Sequence, residues 1–292
     1  MSSPLARLRS FNRSFTRQIG ALDDSFLGHG RPLALARLIF EIGRDGRPVG
    51  ELRDALELDA GYLSRMLRSL EDDGLVALVD DEDDRRRRIA LLTDSGRAEW
   101  QRLDESSDDA AARILAPLSR SQQQRLADAL ATAERLLTAA TVRFVEIDIT
   151  HESAQTAIDS YFTELDDRFP TGFDGDAYHD EDAATMSPPN GRFVVIRSDT
   201  RVLGCGGVLN LEPGTGEIKR MWVDPSMRGL GLGRRLLRHL EDMVSEMGNR
   251  TVRLDTNSTL TEALALYDSA GYVEIERYND NPYARHWFEK RF

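Results

Sequence analysis

Residues 216–233, GEIKRMWVDPSMRGLGLG, constrain this chain more than any other stretch. An alternating apolar segment runs into a proline turn, then into glycines at 229, 231 and 233, and then into an apolar-periodic run. The pattern reads as a strand, a short turn and a glycine-rich loop opening onto a helix. Such a loop aims bare backbone N–H groups, backed by a helix N-terminus, at a phosphate. Glycine is needed where a side chain would block that approach, or where the chain takes unusual torsions. A tight strand-to-helix turn without any ligand also favours glycine, so the loop alone leaves both readings open.

A length of 292 residues suggests two domains. No run of eighteen apolar residues marks a membrane span, and the first residues, MSSPLARLRSFNRSF, lack the apolar core of a secretory signal. The single cysteine, Cys205, excludes an intrachain disulfide and a cysteine metal cluster, and fits a reducing cytoplasm. The five histidines are scattered without metal-ligand spacing, so no metal is expected. The net charge of −12 is uneven: residues 1–142 carry 21 Lys+Arg against 24 Asp+Glu, and the remainder 17 against 26. Neither half is strongly basic, so any nucleic-acid contact must come from a local patch.

In the first half, Leu5, Leu8, Phe11, Phe15, Ile19, Leu22 and Phe26 recur every three or four positions and predict an amphipathic helix from residue 4 to about 27. A second helix is predicted over 33–42 and a short third one in VGELRDALEL. Asp59 is placed to N-cap a fourth, AGYLSRMLRSLEDDG. That helix gathers Leu63, Met66, Leu67 and Leu70 on one face and Tyr62, Ser64, Arg65 and Arg68 on the other. Two short helices joined by a turn, the second polar-faced with arginines, suggest a helix-turn-helix. LVALVDDEDDRRRRIALLT then reads as a β-hairpin with a charged tip, a wing. Two long helices follow, over about 94–116 and 119–140.

Asp84-Arg85-Arg86, then Leu92-Thr93 and Gly96, resemble the wing signature of the MarR family of regulators, and LEDDGLV matches the end of that family's recognition helix. The resemblance implies a homodimer held by its first and last helices, bound to a palindromic double-stranded DNA operator. It places Tyr62, Ser64, Arg65 and Arg68 in the major groove and Arg85 and Arg86 at the wing, with Asp84 orienting Arg86. An arginine run beside an aspartate run is also what a solvated, self-neutralising loop looks like. The acidic run 80–84 and the negative sum of the domain predict weak, salt-sensitive binding.

The second half opens directly on VRFVEIDI, a strand pattern, followed by a helix over about 153–167 and a long polar loop broken by proline and glycine. Strands RFVVIRS and LGCGGVLNL flank a turn at Asp199-Thr200, and the strand, loop and helix of 216–248 come next. VRLDTN, TEALALYDSAG, YVEIERYND and RHWFEKRF complete a strand, a helix and two final strands.

This order, the Arg-x-x-Gly-x-Gly of Arg228, Gly231 and Gly233, and the tail NSTLTEALALYDSAGYVEI resemble the GNAT acetyltransferases from about residue 143 to the end. The resemblance implies acetyl-CoA as cosubstrate. Its pantetheine arm would pair with the strand at Met221, Trp222 and Val223, and its pyrophosphate with Arg228, Gly229, Leu230, Gly231, Leu232, Gly233 and Arg234. The Met221 N–H would hold the thioester carbonyl, a small oxyanion-type site. Glu217 would be the general base, directly or through water, with an edge-of-strand surface carboxylate as the alternative. Tyr267 would protonate the departing thiolate or, alternatively, pack in the core. Asn257 is a loose match for a pantetheine ligand, because Leu260 stands where many members carry asparagine. Acidic residues including Glu164, Asp166 and Asp182 would form a rim that attracts an amine, or a solvated loop; Tyr278, Tyr283, His286 and Trp287 would line an acceptor pocket or pack on the sheet.

The expected architecture is therefore two domains: a mainly α winged helix-turn-helix over 1–142, then an α/β GNAT fold with a mixed sheet over 143–292. The expected function is that of a cytoplasmic DNA-binding transcriptional regulator that is also an acetyl-CoA-dependent N-acetyltransferase of a small primary amine. The alternatives are a regulator whose GNAT half only senses acetyl-CoA, and an enzyme whose helical half only dimerises.

Overall fold

A computed structural model describes residues 3–20, 26–28, 30–81, 87–175, 179–198 and 201–292. The chain forms two compact units, Met1–Asp128 and Ala129–Phe292. The division falls inside a helix, ahead of the 142/143 boundary expected from sequence, because Ala139 and Val142 pack into the core of the second unit.

The first unit contains α1 (Pro4–Gln18), α2 (Leu33–Ile42), β1 (Arg47–Pro48), α3 (Val49–Ala55), α4 (Ala60–Asp72), β2 (Val76–Asp80), β3 (Arg88–Leu92), α5 (Asp94–Leu115) and the start of α6 (Arg120–Thr141). The strands form one small antiparallel sheet in the order β1-β3-β2. Apolar residues from α2 to α5, among them Leu38, Ile39, Leu52, Leu63, Leu67, Leu70, Ala90 and Leu103, make its core. Asp59 caps α4, accepting hydrogen bonds from the amides of Gly61 (2.9 Å) and Tyr62 (3.1 Å). Thr93 caps α5 through Gly96 N–H (3.0 Å) while its hydroxyl donates to Gly74 O (2.7 Å), tying the end of the α4 turn to the end of the hairpin. A Cβ on Gly96 would lie 2.0 Å from Leu75 O, so only glycine fits there. The helix α1 stops at Gln18, short of the expected 27, where Gly20 takes φ +65°.

In the second unit, β4 (Arg143–Ile147), β5 (Gly191–Ser198), β6 (Arg201–Glu212), β7 (Thr215–Val223), β8 (Thr251–Thr256), β9 (Val273–Ile275) and β10 (His286–Arg291) form a mixed sheet in the order β4-β5-β6-β7-β8-β10-β9. Helix α7 (Glu152–Arg168) covers one face, and α9 (Leu232–Glu246) with α10 (Thr261–Ser269) covers the other. The two-residue period of a strand sorts the side chains: Phe193 and Val195 of β5 pack with α7, while Val194 and Ile196 pack with α9. The long polar loop contains a short helix absent from the sequence reading, α8 (His179–Thr185). The turn expected at Asp199-Thr200 lies outside the described residues.

The pair β7–β8 is parallel, and register partners join it only over Thr215–Glu217 and Thr251–Arg253. Both strands continue beyond that point, so the sheet splits along its middle. On its other side the β6–β7 register shifts between Cys205 and Gly207, and Arg220 takes φ +55°. Arg220 and Met221 have no register partner on either neighbour. The chain is bulged where the split opens.

Candidate functional site

Past β7, Asp224 Oδ1 accepts from Ser226 N–H (2.8 Å) and starts the single turn Pro225–Met227. Gly229 and Gly231 follow at φ +76° and +80°, the left-handed region that glycine alone enters without strain. Gly231 is the N-cap of α9 and offers no side-chain oxygen, so no side chain caps the first-turn amides. A Cβ at Gly229 or Gly231 would meet no atom within 4 Å: the space beside the loop is open. The residues present fit a diphosphate approaching bare amides.

That loop forms one wall of a cleft of about 490 Å³. The cleft brings together Met221, Trp222, Val223, Arg228, Gly229, Gly231, Leu232, Gly233 and Arg234 of the residues expected at the cofactor. Leu230 instead packs against the core. The opposite wall comes from α7 and α10, through Glu164, Arg168, Glu262, Ala263 and Leu266, none expected at the cofactor. Glu164 accepts from Trp222 Nε1 (2.8 Å) and from the Arg228 guanidinium, whose Nε also donates to Val223 O (3.1 Å). These donors, with Arg168, outweigh burial and hold the Glu164 carboxyl below its usual range. Arg234 donates to Ser269 Oγ (2.6 Å).

Within the split, between β7 and β8, lies a second, smaller cavity of about 80 Å³ that shares Tyr161, Leu165, Met221, Leu260 and Ala263 with the cleft. Met221 and Tyr267 line it, as does Asn257, with Lys219, Arg220, Asp255 and Asn281. Tyr267 is 6% exposed, its ring near those of Tyr272 and Phe288 (5.7 and 5.8 Å), and burial pushes its hydroxyl above the usual phenol range. Asn257 is committed to its own chain: Nδ2 donates to Tyr283 O (2.6 Å) and Oδ1 accepts from Thr259 N–H (2.9 Å).

Glu217 is 3% exposed, so the surface-carboxylate alternative does not hold. It does not line the cavity but sits behind it. Its Oε1 accepts from Tyr278 Oη (2.8 Å) and Asn279 Nδ2 (3.3 Å), and Lys219 Nζ stands 3.8 Å from Oε2. Burial raises its carboxyl above the ordinary glutamate value, and the charge of Asp255 acts the same way. Asn279 also donates to Asp255 Oδ2 (2.7 Å), Asn281 donates to Asp255 Oδ1 (2.7 Å), and Trp287 Nε1 donates to Asn279 Oδ1 (2.9 Å). The segment 276–285 thus carries a polar network over the two carboxylates. Asp255, Asn279 and Asn281 are absent from the sequence reading; the asparagine-dense run YNDNPY marks a loop, not the strand it covers.

Of the four aromatic or histidine candidates near the C-terminus, Tyr283 lines the cavity, Tyr278 and Trp287 belong to the network, and His286 pairs with Glu274 (2.7 Å) outside it. The acidic-rim reading fails at Glu164, which is bound to arginines, and at Asp182, which is buried against Arg220; Asp166 accepts from Phe173 N–H (2.9 Å) and keeps its charge.

In the first unit, Leu63, Met66, Leu67 and Leu70 of α4 are buried and Tyr62, Ser64, Arg65 and Arg68 are exposed, as the periodicity predicts. The Arg65 guanidinium lies 5.7 Å from the centroid of the Tyr62 ring. A groove of about 510 Å³ lined by Ser64 and Arg68 also takes Arg53 of α3 and Arg87 and Arg88 at the base of the wing, against the single carboxylate of Glu71. These three arginines were not expected there. The hairpin pairs as far as Asp80 and Arg88; Arg85 and Arg86 lie outside the described residues.

Residues 158–272 match the model of the acetyltransferase (GNAT) family and residues 29–87 that of the MarR family. The second half is similar to an IAA acetyltransferase of Azospirillum brasilense, 35% identical over 130 residues, covering 44% of this chain and 85% of the relative. It is also similar to the uncharacterized N-acetyltransferase YjgM of Escherichia coli, 32% identical over 33% of this chain and 60% of the relative. Among solved structures, a GNAT-family acetyltransferase of Staphylococcus aureus covers 52% of this chain and 99% of its own (18% identity, TM-score 0.46). A probable transcriptional regulator from Pseudomonas aeruginosa covers 43% of this chain and 92% of its own (26% identity, TM-score 0.36).

Proposed function

The chain belongs to the GNAT acetyltransferase family and carries a MarR-family segment ahead of its transferase half, and from that premise we propose that it is a dimeric, operator-binding regulator that also acetylates a small primary amine. One observation carries the enzymatic reading: Met221, at the bulge where β7 leaves β8, lines both the cleft under the glycine loop and the cavity that holds Tyr267. A donor bound in one and an acceptor bound in the other would meet at that residue.

When bound, acetyl-CoA supplies an acetyl group activated as a thioester. The backbone amides of 229–234 and the N-terminus of α9 bind its diphosphate, and the β7 backbone at Met221 and Val223 aligns its pantetheine arm. The Met221 N–H donates to the thioester oxygen as charge gathers there. Glu217, buried behind the cavity and so acting through a water, takes the proton that an ammonium acceptor must shed before its nitrogen can attack. The second proton, released as the N–C bond forms, replaces the one that Tyr267 gives to the sulfur. Its raised pKa suits that task, since a carboxylate that holds a proton more readily is a stronger base. Tyr267 stays protonated at any working pH and gives its proton to the sulfur as the C–S bond breaks.

The DNA-binding reading rests on the exposed arginine face of α4 and the arginines gathered between α3, α4 and the wing stem. The dimeric reading rests on α1, which contributes no buried residue and exposes Leu5, Leu8, Phe11 and Phe15.

Mass spectrometry of products from acetyl-CoA and a panel of amines, amino acids and peptides tests the enzyme, with calorimetric acetyl-CoA binding as its control. An acetylated product that Tyr267→Phe strongly reduces supports the reading. Tight acetyl-CoA binding without product from the whole panel would assign this half a sensing role instead.

A further inference from the structure

We propose that Asp255 is the ammonium-binding group of the acceptor cavity, and that the acceptor is a small aliphatic primary amine with no carboxylate beside its nitrogen. The inference rests on the transferase reading above and adds to it the charge and size of the acceptor.

The argument is one of unbalanced charge. Three charged side chains line the cavity on its strand side: Lys219, Arg220 and Asp255. Each of the two cations already faces a carboxylate outside the lining. Lys219 has Glu217 at 3.8 Å, and Arg220 is held by both oxygens of Asp182 at 2.6 and 2.9 Å. Asp255 has no ion-pair partner among the described residues. Its two oxygens take neutral amide donors, Asn279 and Asn281, at 2.7 Å each. Amides fix the orientation of a carboxylate without cancelling its charge. Its field reaches the surrounding groups: after burial, the Asp255 charge helps raise the pKa values of Glu217, Tyr161, Tyr267 and Tyr278. A half-buried carboxylate in a cavity with its counter-cations spoken for is stabilised by an incoming cation.

The rest of the lining sharpens the class. Phe169 and Tyr283 stack with centroids 5.8 Å apart, and Phe173 sits 4.8 Å from Tyr283, so one wall is aromatic and suits the alkyl body and the charge of an alkylammonium. The cavity is small, about 80 Å³ against about 490 Å³ for the cleft, which suits an amine with a short alkyl body. A zwitterionic amino acid would bring a carboxylate into a lining whose cations are both occupied. Next to a nitrogen held at Asp255, that carboxylate would also stand close to the Asp255 carboxylate, like charge against like.

The test compares propylamine with L-alanine as acceptors for the full chain, and then the Asp255→Asn variant with propylamine. We expect kcat/KM for propylamine to exceed that for L-alanine at least tenfold. Asp255→Asn should raise the KM for propylamine by about tenfold or more, as loss of a charged hydrogen bond does, with kcat changed much less and calorimetric acetyl-CoA affinity unchanged. Preference for L-alanine, or an unaltered KM in a variant that still binds acetyl-CoA, overturns the assignment of Asp255 while leaving the transferase reading in place. Acetyl-CoA binding with no product from the amine and amino-acid panel overturns the transferase reading and this inference with it. The propylamine–alanine comparison uses the unaltered protein, so it decides even where the substitution disturbs the fold.

Discussion

Asp182 and Arg220 form a buried bidentate ion pair across 38 residues of sequence, Nε to Oδ2 at 2.6 Å and Nη2 to Oδ1 at 2.9 Å. Arg220 is the residue with φ +55° at the bulge, one position before Met221, so the pair pins the strand where the sheet splits. Removing the carboxylate takes the bidentate counter-charge from a buried guanidinium. Asp182→Ala is expected to lower stability by about 3–5 kcal/mol, measured by urea unfolding, and to depress turnover by loosening the Met221 amide.

In the proposed reaction Glu217 works in its ionised form, and burial raises its pKa above the ordinary glutamate value. Activity should therefore rise with pH along a limb displaced upward from that value. Glu217→Gln is expected to remove the limb and lower kcat about a hundredfold, leaving acetyl-CoA affinity intact. The stability sign is opposite: a raised folded-state pKa favours the fold below the unfolded pKa, and that gain disappears as pH rises through the folded one. At neutral pH the glutamine variant should then melt no lower than the parent, which calorimetry can check.

Gly231→Ala forces a β-carbon into φ +80°, a torsional cost of roughly 1–2 kcal/mol. No protein atom lies within 4 Å of that β-carbon, so steric clash adds nothing to the cost in the free protein. Gly248, at φ +86° with equally open surroundings, serves as the control. Both alanine variants should lose similar stability; only Gly231→Ala should weaken acetyl-CoA binding in calorimetry.

Arg65→Ala and Arg68→Ala are expected to weaken binding to a duplex selected from a random pool. Where the lost contact is to phosphate, the slope of log K against log salt should shrink by about one per arginine. An unchanged affinity in both variants would remove the operator-binding reading and leave the helical half as a dimerisation module.

Leu8→Glu with Phe11→Glu should convert a dimer to a monomer in light scattering while leaving the helical circular dichroism in place. Both residues are more than half exposed within the chain, so their replacement removes little intrachain packing beyond the stack of the Phe11 and Phe15 rings (5.5 Å).

Elements with a strong local signal were legible without coordinates. The 3.6-residue period and the Asp59 cap of α4 follow from residues within one or two turns of each other, as does the glycine loop ahead of α9. The same locality limited the reading elsewhere. The predicted strand over 272–280 pairs only at Val273–Ile275, because the chain then turns, with Arg277 Nε donating to Asn279 O (2.7 Å), and sends Asn279 towards Glu217 and Asp255. The polar loop that hid α8 also hid Asp182, whose partner lies on β7.

Sequence alone determined the two halves, their family resemblance, the glycine loop and the polar face of α4, since each rests on near-neighbour spacing and backbone torsion. Tertiary structure decided which charges are spent and which are free. Glu164 and Asp182 read as an acidic rim, yet both are neutralised by arginines far along the chain, while Asp255, unremarkable in VRLDTN, faces the cavity without a counter-cation among the described residues. Charge balance in a buried site depends on long-range contacts, and no local pattern encodes those.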